Sequence, residues 1–315
     1  MTVIDSKQLN KLWAKSTDLK SPQRDRHLYD LAFFLWTNKQ FDEAIAVVDS
    51  ALEELTQRVG SSLWIEAMHL KSLALHDSER DDEAISAASE ALKYGDTLSP
   101  ANERAFMHLH LADCYRSTDQ KELQEAEYLK AIEAFKETDN KFFLSQAYID
   151  LINLYYRSGR FIESKKYVQL VTPVLEETHS TDRITFIKYR LAGIERKLGN
   201  LRAALMHAEE ALHLAKFVDD VVATRENTIE LAMVHEALEN YDIALELLDS
   251  LIEDNGDSIK NRSAAKAGYY RANIFRITGN LEEAKIGFNQ SIPLLKSVDQ
   301  IDLAINAHLA YIHLS

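Results

Sequence analysis

The stretch YRLAGIERKLGNLRAALMHAEEA, residues 189–211, decides the fold. Small residues stand at Ala192, Ala204 and Ala211, with bulkier apolar residues between them at helical spacing. Gly199 separates two amphipathic segments, so the stretch reads as helix, left-handed stop, helix. Forty residues away in either direction the pattern returns. From Ala204 the steps reach Ala44, Ala84, Gln124, Ser164, Ala244 and Ala284. From Ala192 they reach Ala32, Ser72, Ala112, Ile152, Ala232 and Ala272. From Ala211 they reach Ala51, Ala91, Ala131, Val171, Leu251 and Ser291. Alanine fills 14 of these 21 positions, whereas its overall abundance would supply about two.

Seven phased copies without an insertion imply stacked helical hairpins. No single copy buries its own apolar face; its neighbours do. Composition agrees. Nine glycines and four prolines in 315 residues are too few for the turns of a β-rich protein, and 46% hydrophobic with 27% charged residues describes a core-forming chain. The longest strongly apolar run, Leu31 to Trp36, is far short of the ~20 residues that span a bilayer, and the opening residues show no export signal. A single cysteine, Cys114, excludes an internal disulfide framework and suits a reducing, cytoplasmic setting. The net charge of −14 disfavours nucleic acid as a partner.

Small, aromatic or leucine three on, glycine seven on, then small at twelve and nineteen: this pattern resembles the tetratricopeptide repeat family. Ala272, Phe275, Gly279 and Ala284 show it well, as do Ala112 and Tyr115. The period of forty, without the proline that closes the usual 34-residue unit, is similar to the long-helix branch of peptide-sensing regulators and polarity adaptors. The resemblance implies an all-α, right-handed superhelical solenoid. It would comprise a capping segment (1–21), seven repeats (22–299) and a terminal helix (300–315). Pro173 and Pro293 are expected to kink or shorten the second helices of repeats four and seven.

No phosphate loop, nucleophile elbow, zinc-protease motif or paired-cysteine motif is present, so no enzyme and no cofactor is expected. Cys114 reads as a buried small hydrophobe. His69, His76, His108 and His110 with Asp113 come nearest to a metal-ligand set, but chance spacing accounts for them and no metal is expected.

In the resembled family the first helices line a concave groove. The columns so directed contain Tyr189 and Tyr269; Asn153 and Asn273; and Arg116, Tyr156, Arg196 and Arg276. Aromatic, amide and guanidinium groups in alternation suit an extended peptide, with the cations favouring an acidic segment and Gly193 leaving room for its approach. The family's lysine–asparagine carboxylate clamp is not expected. Asn153 matches one of its places, but Ile149, Glu226 and Glu230 occupy the others. The reading is therefore a non-enzymatic protein- or peptide-binding scaffold. Its alternative is a ligand-gated regulator whose groove takes a short signalling peptide. The apolar terminal helix around Leu309 and Ile312 is a candidate face for a homodimer.

Overall fold

The computed structural model describes residues 23–253 and 258–314, so the expected capping segment lies outside the described residues. Among the described residues there are fifteen α-helices, one short 3-10 turn and no strand. In chain order they are α1 (Gln23–Thr37), α2 (Phe41–Glu54), α3 (Ser62–Asp77), α4 (Asp81–Leu98), α5 (Ala101–Ser117), α6 (Lys121–Lys136), α7 (Lys141–Arg157) and α8 (Phe161–Thr178). They continue as α9 (Thr181–Lys197), α10 (Leu201–Phe217), α11 (Val221–Ala237), α12 (Tyr241–Glu253), α13 (Ser258–Ile277), α14 (Leu281–Ser297) and α15 (Ile301–Leu314).

All 21 phased positions are buried, and none is more than 5% exposed. Small side chains here set how closely paired helices approach. A Cβ built on Gly287 of α14 would lie 2.8 Å from the Cβ of Ala272 on α13, so this hairpin closes to contact with nothing to spare. Where the site is polar, the group is satisfied locally: the Ser72 hydroxyl donates to the Ala84 carbonyl at 2.7 Å.

The turn within each hairpin repeats as faithfully. Lys39, Glu79, Asp119, Gly159, Gly199, Glu239 and Gly279, each forty apart, all have positive φ, between 55° and 84°. The residue after each donates its N–H five residues back, as in Gln40 to Leu35, Asn200 to Glu195 and Asn280 to Phe275. This is the Schellman arrangement that satisfies the last helical carbonyls. Only three of the seven positions carry the glycine that such a φ favours. The other four accept the strain because the motif recurs whatever the residue.

The chain divides into two compact units, Met1–Leu154 and Tyr155–Ser315, and the division falls inside α7. In the first unit α1/α2, α3/α4 and α5/α6 pair as hairpins, with α2 on α3 and α4 on α5. Leu28, Leu35, Val48, Leu55 and Leu75 form its core, each at most 1% exposed. In the second unit α9/α10, α11/α12 and α13/α14 pair in the same way, and α15 packs on α14. Ala204, Ala208, Leu248, Ile274, Phe288 and Leu295 lie in its interior.

The prolines do not shorten their helices. Helices α8 and α14 run 18 and 17 residues and continue past Pro173 and Pro293, as long as their neighbours. Both prolines, and Gln169 and Asn289 four residues before them, are exposed. The carbonyls left without an N–H partner therefore reach water, and neither helix needs to end.

Two stability predictions follow from this geometry. Glu79→Gly and Glu239→Gly should each stabilise the chain by about 0.5–1 kcal/mol, and Gly199→Ala should cost about 1 kcal/mol, with no contact involved since Gly199 has open space around it. Ala204→Leu or Ala244→Leu should cost ~1–3 kcal/mol by overpacking sites that are 0% exposed. Melting temperatures of the three classes of variant check both; an unchanged value for both leucine variants would contradict the packing register.

Candidate functional site

The second unit contains a cleft of about 860 Å³. Its walls come from α9 (Phe186, Tyr189, Arg190), α11 (Val222, Glu226, Asn227) and α13 (Arg262, Lys266), with Val218 and Val298 at its rim. Arg190 lies over three aromatic rings, 4.4 Å from the centroid of Tyr156 and 5.4 Å from those of Phe186 and Tyr189. Cation–π contacts of this kind fix a guanidinium without neutralising it. Among the described residues no carboxylate is within ion-pair distance of Arg190, and its Nε is buried with no hydrogen-bond partner. The nearby acids are otherwise engaged. Both oxygens of Glu226 accept from Lys266, at 3.0 and 2.9 Å, and Asp220 caps α11 through the Ala223 N–H at 2.9 Å.

Asn227 is only 3% exposed. Its Nδ2 donates to the Ala223 carbonyl at 2.7 Å, whereas its Oδ1 is buried and accepts from nothing. Reversing the amide would set oxygen against oxygen, so the carbonyl contact fixes which end is left over. Burial and Glu230 together push the Tyr189 hydroxyl well above its ordinary range, keeping it a neutral donor.

The residues read from the sequence divide into those that meet here and those that do not. Tyr189 and Tyr156 meet around Arg190. Gly193 makes room, but for a side chain of this protein and not for a ligand: a Cβ there would lie 2.9 Å from the Tyr156 hydroxyl oxygen. Arg196 does not face the cleft. It is half-buried and paired with Glu230, at 2.9 and 3.3 Å. Asn273 donates to Glu236 at 3.1 Å, and its own oxygen receives Arg276 at 2.8 Å. Tyr269 packs on Tyr270 and Phe288, with centroids 5.1 and 5.9 Å away. Arg116 and Asn153 belong to the first unit; Arg116 pairs with Asp113 at 3.1 Å, and the Asn153 Oδ1 is buried and unpartnered. Sequence reasoning missed Arg190 and Asn227. Arg190 follows Tyr189 directly and lay outside the inspected columns, and its missing partner is a tertiary fact with no sequence signal.

The first unit has its own cleft, of about 790 Å³, walled by Tyr29, Phe33 and Trp36 on one side and Phe106 and Phe143 on another. His69 and His110 line it, their rings 5.5 Å apart. Burial lowers the His69 imidazole to about 4, and burial with the neighbouring imidazoles lowers His110 as well. Both rings are therefore neutral at pH 7. His110 meets the Ser72 hydroxyl at 2.7 Å, and His76 meets Asp81 at 2.6 Å. His108 is turned away, held between Glu127 at 2.5 Å and Asp96 at 2.8 Å. Among the described residues no group of three histidine, cysteine or acidic side chains is placed to hold a metal ion. Burial pushes the Cys114 thiol up to about 12, so it stays protonated and unreactive at neutral pH.

The sign of the histidine effect is fixed. The folded chain keeps His69 neutral down to about pH 4, while the unfolded chain protonates it below about 6.5. Its contribution is thus complete above pH 6.5 and lost as pH falls towards 4, by up to about 3 kcal/mol. A His69→Leu variant should lose less stability than the parent between pH 6.5 and 4.5 in thermal melts. Identical slopes would contradict this.

Residues 107–138 and 229–290 each match a tetratricopeptide repeat model. No curated protein matches the chain in sequence. In fold it is similar to the apo form of RapI, at 12% identity and a TM-score of 0.64, over 98% of this chain and 96% of that one. It is similar to a tetratricopeptide repeat protein from Parabacteroides merdae, at 12% identity and 0.63, over 91% and 99%. It is also similar to the apo form of the quorum sensor NprR from B. thuringiensis, at 14% identity and 0.59, over 98% and 92%. Residues 107–138 and 229–290 are thus matched as tetratricopeptide repeats, and the hairpin turn they contain recurs at every fortieth residue among the described residues.

Proposed function

We propose that this protein is a non-enzymatic scaffold that binds an extended protein or peptide segment, and that the cleft of the second unit is where it does so. One observation carries the reading: the cleft combines an apolar rim with a lining residue, Asn227, whose Oδ1 is an unused hydrogen-bond acceptor buried behind the wall. Peptide segments need both, pockets for side chains and a partner for main-chain N–H groups. Of the residues read from sequence, Tyr189 and Tyr156 serve this site, the latter by supporting Arg190. The protonated Cys114 favours a binding role over catalysis. Among the described residues no helix is long and apolar enough to cross a membrane.

The second reading, a ligand-gated regulator, is favoured by the likeness to a quorum sensor, a protein whose role is to respond to a signal. In that case a bound peptide changes how the repeats present themselves to a partner. On α15, Ile301, Ile305, Leu309 and Ile312 are each about half exposed along one stripe, and this stripe is the face read as a site of self-association.

Selection of displayed random 12-residue peptides on the immobilised full chain tests the scaffold reading. Val222 stands at the rim, 48% exposed, so Val222→Glu leaves the core intact. The parent should enrich a peptide family that the variant binds at least about tenfold more weakly. Equal binding by both would remove this cleft as the site.

A further inference from the structure

Resting on that scaffold reading, we infer that the bound segment carries a carboxylate, which Arg190 receives, next to a main-chain N–H, which Asn227 Oδ1 receives. The chain has 50 acidic residues against 36 basic ones, so acidic partners are plentiful. Lys266, Arg196 and Arg271 in the same unit each have a carboxylate at 3.0 Å or less. Arg190 has none, although three aromatic rings hold it in place. A guanidinium that is fixed but not neutralised is prepared for an anion from outside.

Geometry narrows the anion. The three rings lie 4.4 to 5.4 Å from the guanidinium carbon and carry no charge to neutralise it, so an anion would bond in the guanidinium plane. All five N–H donors lie in that plane, and a carboxylate meets two of them at once. Arg262 lines the same cleft and is exposed, so its charge adds to the attraction. Asn227 adds a condition that a simple ion cannot meet. Its free atom is an acceptor, held in place by the 2.7 Å contact of the other end to the Ala223 carbonyl. It requires a donor, and a peptide supplies an N–H beside an aspartate or glutamate side chain, or beside its C-terminal carboxylate.

The test uses four hexapeptide libraries on the immobilised full chain: with or without aspartate and glutamate, and with the C-terminus free or amidated. The parent should retain carboxylate-bearing peptides about tenfold or more over those with neither carboxylate. The two single-carboxylate libraries show which source Arg190 takes. Arg190→Gln should abolish the preference and Arg190→Lys should keep part of it, because charge survives but the planar edge does not. Asn227→Ala should weaken all retained peptides alike without removing the charge preference. Circular dichroism and melting temperature establish that each variant is folded. Should Arg190→Gln unfold, the Arg190→Lys result and the loss of preference in raised salt stand in for it. Retention of all four libraries equally, or a preference that persists in Arg190→Gln, overturns the inference and leaves the scaffold reading standing. Retention of none overturns both.

Discussion

Two antiparallel helices close to van der Waals contact only where neither presents bulk to the other. In this protein that condition is met three times per repeat, at sites forty residues apart that are all buried. The rest depends on it. Close pairing sets the hairpins, the hairpins stack, and stacking turns the first helices of successive repeats towards shared clefts. The turn geometry is equally regular, and it is kept even where glutamate or lysine must adopt a left-handed φ. Packing therefore dictates the turn, and the local residue preference yields to it.

Once the helices are in place, electrostatics decides which polar groups remain available. Several cations of this acid-rich chain pair with its own carboxylates. Arg196 goes to Glu230, Lys266 to Glu226 and Arg271 to Asp249. Such pairs tie neighbouring repeats together, and where they are partly buried their loss would leave a charge without compensation. Arg190 escapes because rings, not carboxylates, surround it. In the first unit burial has a different outcome: His69 and His110 are neutral and enclosed, so that cleft has imidazole and aromatic surface in place of a free cation.

The fold was legible in the sequence because its determinant is periodic. Ala204 and its counterparts carry their message by position alone, and even Gln124 and Val171, the wrong residue types, are buried where the period puts them. The site was legible only in part. Tyr189 and Tyr156 could be grouped from sequence because helix periodicity says which way a residue points. The partners of Arg196 and Arg276 were not legible because periodicity does not say who stands opposite. Glu230 lies in the next repeat and Asn273 on the same helix, and each bonds the cation of its column. Gly193 misled for the same reason, its space being taken by Tyr156. The uninterrupted course of α8 and α14 through proline likewise depends on exposure, which sequence gives only indirectly.

The most direct measurement is nitrogen-15 NMR of the arginine side chains in the full chain, titrated with N-acetylglutamate N-methylamide. That probe holds one carboxylate and the adjacent N–H groups and little else. The account predicts that the Arg190 Nε–H resonance moves on titration while that of Arg196, held by Glu230, stays in place. Movement of Arg196 with Arg190 unchanged would contradict it.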